Sequence, residues 1–240
     1  MIPYRTTAPA ALVPVVTLLL IVVNAGILLL VESMPEEGAL RIAYIYGLVP
    51  AFLSDPALAV RSGIEPMGVT TLLTNTFMHG GILHLVLNMW TLWLFGAPIE
   101  GRLGSIRFFF FYLACGVGGS AGHLLFNLDS TVPAVGASGA VAGILGGFMV
   151  LYPSSRVALM LPILFIPFFF QVPAVLFAVI WFVIQLTQGW TDFLRGGLQG
   201  GGIAWWAHIA GFLAGVALIR PFDPWGGPRR RAGMPRGPWG

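Results

Sequence analysis

Two polar side chains interrupt long apolar stretches of this chain and have the chemistry of a nucleophile and a base. They are Ser138, in the run Gly136-Ala137-Ser138-Gly139, and His208, within the apolar stretch Ala204 to Ile219. A serine hydroxyl attacks a carbonyl only when a base takes its proton, and a neutral imidazole is the usual base for that step. His84 and Asn88, four residues apart and so on one helical face, add N–H donors of the kind that stabilise the oxyanion of a tetrahedral intermediate. His79 lies five residues before His84 with Gly80-Gly81 between them, and is expected in the turn that enters the helix. Together these residues suggest a hydrolase acting at membrane depth.

Other chemistries have less support. Gly-Ala-Ser-Gly is also the composition by which membrane helices pack closely, and the soluble-hydrolase elbow G-x-S-x-G would need a glycine where Ala140 stands. No H-E-x-x-H zinc motif and no G-x-x-x-x-G-K-[ST] phosphate loop is present. Cys115 is the only cysteine, so neither an intramolecular disulfide nor a multi-cysteine metal site can form. No cofactor and no metal is implied.

The elements that must position these residues are membrane helices. The chain is 57% hydrophobic and 9% charged, with a mean hydropathy of +0.88, against about 25% charged for a soluble domain. Apolar runs near residues 8–31, 80–99, 106–126, 138–152, 173–187 and 204–219 predict six spans, since about 20 apolar residues cross a core of roughly 30 Å. Pro162, Pro167 and Pro173 break the run after Val157, so its first half is expected as an interfacial or loop segment. With both termini on one side, that face carries nine arginines against two carboxylates and the other three against seven. This follows the positive-inside rule and puts both termini in the cytoplasm. Residues 1–222 form the membrane domain, and the Gly/Pro/Arg-rich tail 223–240 is expected to anchor topology beside anionic lipid, with no nucleic-acid partner.

Span geometry brings the polar residues together. A helix from Ser138 meets the polar turn at Tyr152-Pro153 after 15 residues, about 22 Å at 1.5 Å per residue. Its first residue therefore lies below the outer surface, where irregular backbone requires burial in protein or a hydrated recess. Gly139, Gly143 and Gly147 on this span, and Ala207, Gly211 and Gly215 on the last, form small-residue ridges. Close backbones along these ridges are expected to bring His208 within hydrogen-bonding reach of Ser138.

His79-x4-His84-x3-Asn88, Glu100-x-Arg102-Leu103-Gly104, Gly136-Ala137-Ser138-Gly139 and Ala207-His208-Ile209-Ala210-Gly211, in this order over roughly residues 70–220, together resemble the rhomboid intramembrane serine proteases. The resemblance implies an all-α integral membrane protein, a six-transmembrane-helix rhomboid-like bundle, that cleaves transmembrane segments of other proteins with a serine–histidine dyad lacking an acidic third member. It implies Ser138 as nucleophile, His208 as general base, and His84, Asn88 and the Ser138 backbone N–H as oxyanion hole. His79 would be a structural or solvent-organising cavity residue. Glu100 and Arg102 would be a pair holding the loop after the second span, and Gly189 to Gly202, with six glycines, the loop that caps the site.

The chain departs from the family pattern in two places. The loop Glu32 to Met67 lacks the Trp-Arg pair of many members, and Ala142 stands where some place an aromatic beneath the histidine. An aromatic from a neighbouring span is the expected substitute. His123, beside Asn127 on an i,i+4 face, reads as a polar helix end near the outer surface. The alternative to a protease is a noncatalytic transporter or client-binding scaffold that uses the same polar residues as helix glue or as a proton path. The expected setting is a prokaryotic inner membrane with the site opening to the outer face, and the expected partners are transmembrane substrates and lipid.

Overall fold

A computed structural model describes residues 2–10, 13–65, 67–163, 166–194 and 204–223. Helices dominate. The long ones are α1 (Val15–Glu32), α6 (Ile82–Leu103), α7 (Ser105–Phe126), α9 (Ala174–Leu194) and α10 (Trp205–Phe222), each long and apolar enough to cross a membrane. A shorter apolar helix, α8 (Ser138–Leu151), joins them, and at 14 residues it covers only about 21 Å. Short helices α2 (Glu36–Tyr46), α3 (Pro50–Ser54), α4 (Pro56–Arg61) and α5 (Thr71–Thr74) build the connection between α1 and α6.

Burial is inverted relative to a soluble bundle. On α1 the inward residues are Thr17, Leu20, Asn24 and Leu28, while Leu19, Val22, Leu29 and Leu30 face outward. Polar groups that must find partners point inward, as a lipid surround demands. The first helix begins at Val15, later than the expected residue 8, because Pro14 occupies the position before it and residues 2–6 form a strand. Its start is capped from afar. The buried Glu100 carboxylate accepts from the N–H groups of Val16 (2.9 Å) and Thr17 (2.8 Å), and from the hydroxyls of Thr17 (2.8 Å) and Ser105 (2.6 Å). A negative charge at a helix N-terminus is thus satisfied by donors that otherwise lack partners.

The centre of the bundle is α8, in which every residue from Gly139 to Phe148 is buried. A helix that is apolar all round sits inside, and α6, α7, α9 and α10 surround it. Its closest neighbour is α10. A Cβ on Gly211 would strike the Gly139 carbonyl, and one on Gly215 the Gly143 carbonyl, so peptide groups of the two helices are in direct contact.

The segment expected as interfacial or loop is a β-hairpin. Strands β2 (Arg156–Ile163) and β3 (Ile166–Pro173) pair with each other, and β1 (Ile2–Thr6) pairs with β2, giving an antiparallel sheet of order β1-β2-β3. The prolines that forbid a helix do not forbid this pairing, and Pro162 and Pro167 lie opposite each other near the tip. The Trp90 indole donates to the Pro3 carbonyl at 2.6 Å. Trp90 is roughly 20 Å along α6 from Leu103, so the sheet runs beside α6 rather than across its end.

Candidate active site

The turn before Ser138 is built from three separate regions. Leu48 and Ala134 exchange backbone hydrogen bonds (2.9 and 2.8 Å), so the connection after α1, the loop that lacks the Trp-Arg pair, pins the segment leading into the site. The Asn75 carbonyl accepts the Gly136 N–H at 3.0 Å, and the Asn75 amide is itself held by the Thr71 carbonyl and the Ser120 hydroxyl. Nε2 of His79 accepts the Ala137 N–H at 3.5 Å. His79 is buried and stands edge-on to His84, with ring centroids 5.2 Å apart. Burial, reinforced by the neighbouring His84, pulls its pKa down to about 4, so the ring stays neutral and able to accept.

Gly136 is required at this turn for two reasons. Its φ is +140°, which side-chain-bearing residues rarely adopt. In addition, a Cβ there would fall 2.8 Å from Cε1 of His84, 2.9 Å from its Nε2 and 3.5 Å from Oγ of Ser138. The His84 ring and the serine hydroxyl therefore converge on one point beside the bare glycine. Ser138 follows as the first residue of α8, where backbone N–H groups have no intrahelical acceptor. One turn along α6 from His84, Asn88 is buried and its Nδ2 has no hydrogen-bond partner among the described residues.

His208 enters from α10. Ala207, the residue before it, presses its carbonyl against Gly119 of α7, where a Cβ would fall 2.8 Å away, and against Gly139, the residue after the serine (3.4 Å). The small-residue ridges thus bring the two backbones together as the sequence predicts. The expected serine–histidine hydrogen bond is not formed, and Ser138 has no side-chain hydrogen bond among the described residues. The imidazole is held from α9 instead. Its Nδ1 lies 2.7 Å from Oε1 of Gln185, and the indole of Trp181 lies 6.0 Å from its centroid at 35°. Trp205 meets it edge-on at 6.1 Å. Trp181 is the aromatic from a neighbouring span that the small Ala142 called for.

Gln185 and Trp181 are the residues that sequence reasoning missed. The signal was present, because an amide inside an apolar span is as costly as the histidine that did attract notice. His123 stands in the last turn of α7 beside Asn127, as the i,i+4 spacing suggests, and it is buried there, with the Asn127 amide on its carbonyl at 2.9 Å. Glu100 and Arg102 do not pair with each other. Glu100 caps α1 and holds Ser105 in the turn after α6, while Arg102 grips Asp223 at the end of α10, at 3.0 and 2.8 Å. The part of the expected capping loop beyond residue 194, and the basic tail beyond Asp223, lie outside the described residues.

The comparisons with known proteins agree with this arrangement. A family model described as the Rhomboid domain matches residues 66–222, which include every candidate residue above. RHOMBOID-like protein 4 of Arabidopsis thaliana is 36% identical over 166 residues, covering 64% of this chain and 35% of that protein. Rhomboid protease GluP of Bacillus subtilis is 42% identical over 85 residues, covering 35% of this chain and 16% of that protein. The human mitochondrial presenilin-associated rhomboid-like protein is 30% identical over 183 residues, covering 72% of this chain and 41% of that protein. The chain thus spans less than half the length of these relatives. The domain match runs from before His79 to the last residue of α10 and so takes in the whole serine and histidine neighbourhood: this integral membrane protein belongs to the rhomboid family.

Proposed function

We propose that this chain is an intramembrane serine endopeptidase that hydrolyses peptide bonds in or near transmembrane segments of other membrane proteins. Ser138 is the nucleophile and His208 the base that takes its proton. His84, Asn88 and the Ser138 backbone N–H receive the oxyanion. His79 positions the turn through the Ala137 N–H. The observation that carries this reading is the convergence of the His84 ring and Ser138 Oγ beside Gly136, one helical turn from the Asn88 amide, which has no partner among the described residues. A nucleophile and oxyanion donors that share one point leave a place for a reacting carbonyl. The printed name of the Bacillus subtilis relative, a rhomboid protease, supports the same reaction class.

The arginine asymmetry supports both termini in the cytoplasm, six spans counting α8, and a site opening to the outer face of a prokaryotic inner membrane. Substrates are transmembrane proteins whose helix yields near that face. Cleavage of a model transmembrane substrate by wild type, Ser138→Ala and His208→Ala in detergent tests the reading, with loss expected in both variants. A fluorophosphonate probe should label wild type at Ser138. Equal cleavage by Ser138→Ala would instead favour a noncatalytic role for these polar residues.

A further inference from the structure

Gln185 has no part in the reaction outlined above, yet it makes the only hydrogen bond to the His208 ring among the described residues. It is 6% exposed and stands one helical turn beyond Trp181 on α9, so the two approach the imidazole from the same face. An amide oxygen can only accept a hydrogen bond. With the amide oriented so that Oε1 lies 2.7 Å from Nδ1, a neutral ring carries its proton on Nδ1. That leaves the lone pair on Nε2, which is what a base needs if it is to take the serine proton. Rotation of the ring is opposed by Trp181, tilted against it at 6.0 Å, and by Trp205, near-perpendicular to it at 6.1 Å.

The choice of an amide has a physical reason. A carboxylate at this position would bind the same N–H more strongly, but a charge buried in an apolar span is expensive. A neutral amide sets the tautomer without that cost. We propose that Gln185 is a positioning residue for the base, holding His208 in the Nδ1–H tautomer with its ring fixed from α9; this rests on the reading of Ser138 and His208 as the reacting pair. When Oγ attacks the substrate carbonyl, its proton passes to Nε2 and the ring becomes an imidazolium whose Nδ1–H still donates to Gln185. The Nε2 proton then goes to the leaving amine nitrogen. Water repeats the exchange to release the acyl group, and Gln185 gains or loses no proton throughout.

The test uses the full chain, a model transmembrane substrate, and the variants Gln185→Leu and Gln185→Glu beside Ser138→Ala. Leucine fills similar space without an acceptor, and kcat should fall about 10- to 100-fold, the usual range for losing such a supporting bond, with KM within about twofold. Glutamate keeps an acceptor oxygen in the same shape and should recover most of that loss, and the tautomer readout separates this bond from packing. In 15N-histidine spectra, wild-type His208 should show the Nδ1–H pattern and the Leu variant a mixture of tautomers. An unchanged kcat in Gln185→Leu, or equal losses in Leu and Glu, would overturn the proposal. So would an Nε2–H signature in wild type, a measurement that needs no variant to fold. If Ser138→Ala cleaves as well as wild type, the protease reading fails, while the wild-type tautomer still decides whether Gln185 sets the ring.

Discussion

Gly136 and His84 are in contact across the site, with the ring occupying the space where any other residue at position 136 would carry its Cβ. Gly136→Ala must either push the imidazole away from Ser138 or move the turn, and it also forces alanine to a φ of +140°. Strain of this kind costs about 1–3 kcal/mol. The variant should remain folded, with a lowered unfolding temperature, and lose at least about 100-fold in cleavage rate if His84 supplies oxyanion stabilisation. A variant that cleaves normally would refute the placement of His84.

Asn88→Ala separates stability from catalysis. Its Nδ2 has no partner among the described residues, so truncation should leave the unfolding temperature unchanged or raise it. If the amide receives the oxyanion, kcat should drop by about 100- to 1,000-fold with little change in KM. Steady-state kinetics together with thermal unfolding in detergent check both halves.

Glu100→Ala should behave in the opposite way. The carboxylate, 2% exposed, satisfies two backbone N–H groups at the start of α1 and two hydroxyls. Removing it strands buried donors at about 1–3 kcal/mol each, so a loss of several kcal/mol is expected. Chemical denaturation should reveal this loss, while the kcat of the protein that remains folded stays near wild type.

His79 should make stability depend on pH. Its pKa falls from 6.5 to about 4 on folding, so the unfolded chain binds the proton more tightly. The contribution of this group is fully present above pH 6.5, declines as pH falls from there towards 4, and levels off below. His79→Gln cannot take up that proton. Its unfolding temperature should therefore drop less than that of wild type between pH 7.5 and 5, and parallel curves would exclude the assignment.

Gly215→Ala introduces a methyl group against the Gly143 carbonyl. Overpacking of this kind costs about 1–3 kcal/mol, and moving α10 should displace His208 as well. Both stability and cleavage should fall, whereas Leu213→Ala, at an outward position of the same helix, should leave cleavage near wild type.

What the sequence revealed divides by the range of the interaction. Ser138 at the start of a short helix and the ridges that bring Ala207 and Gly211 to Gly139 were legible, because small residues every fourth position leave a periodic mark. Asn88 was legible as a candidate donor through its i,i+4 relation to His84. The grip of Gln185 on His208 was not, since a single amide makes no pattern and its partner lies 23 residues away. Pairing of Ile2 with Met160, and of Leu48 with Ala134, was hidden for the same reason. Three prolines argued against a helix after Val157, but neither the pairing of β2 with β3 nor the addition of the distant β1 left a mark in the sequence.

Around Gly139, Gly143, Gly211 and Gly215 the contact between α8 and α10 is made by peptide groups, which have no rotamers. The gap between the helix bearing the serine and the helix bearing the imidazole is consequently not adjustable by side-chain repacking, and a thicker or thinner bilayer can tilt the two together but cannot slide them apart without breaking the contact. Lipid composition must then act through the outward apolar faces of the elements around α8, among them α1, α6, α7 and α9. The chemistry is in effect mounted on a stiff frame inside a compliant wall.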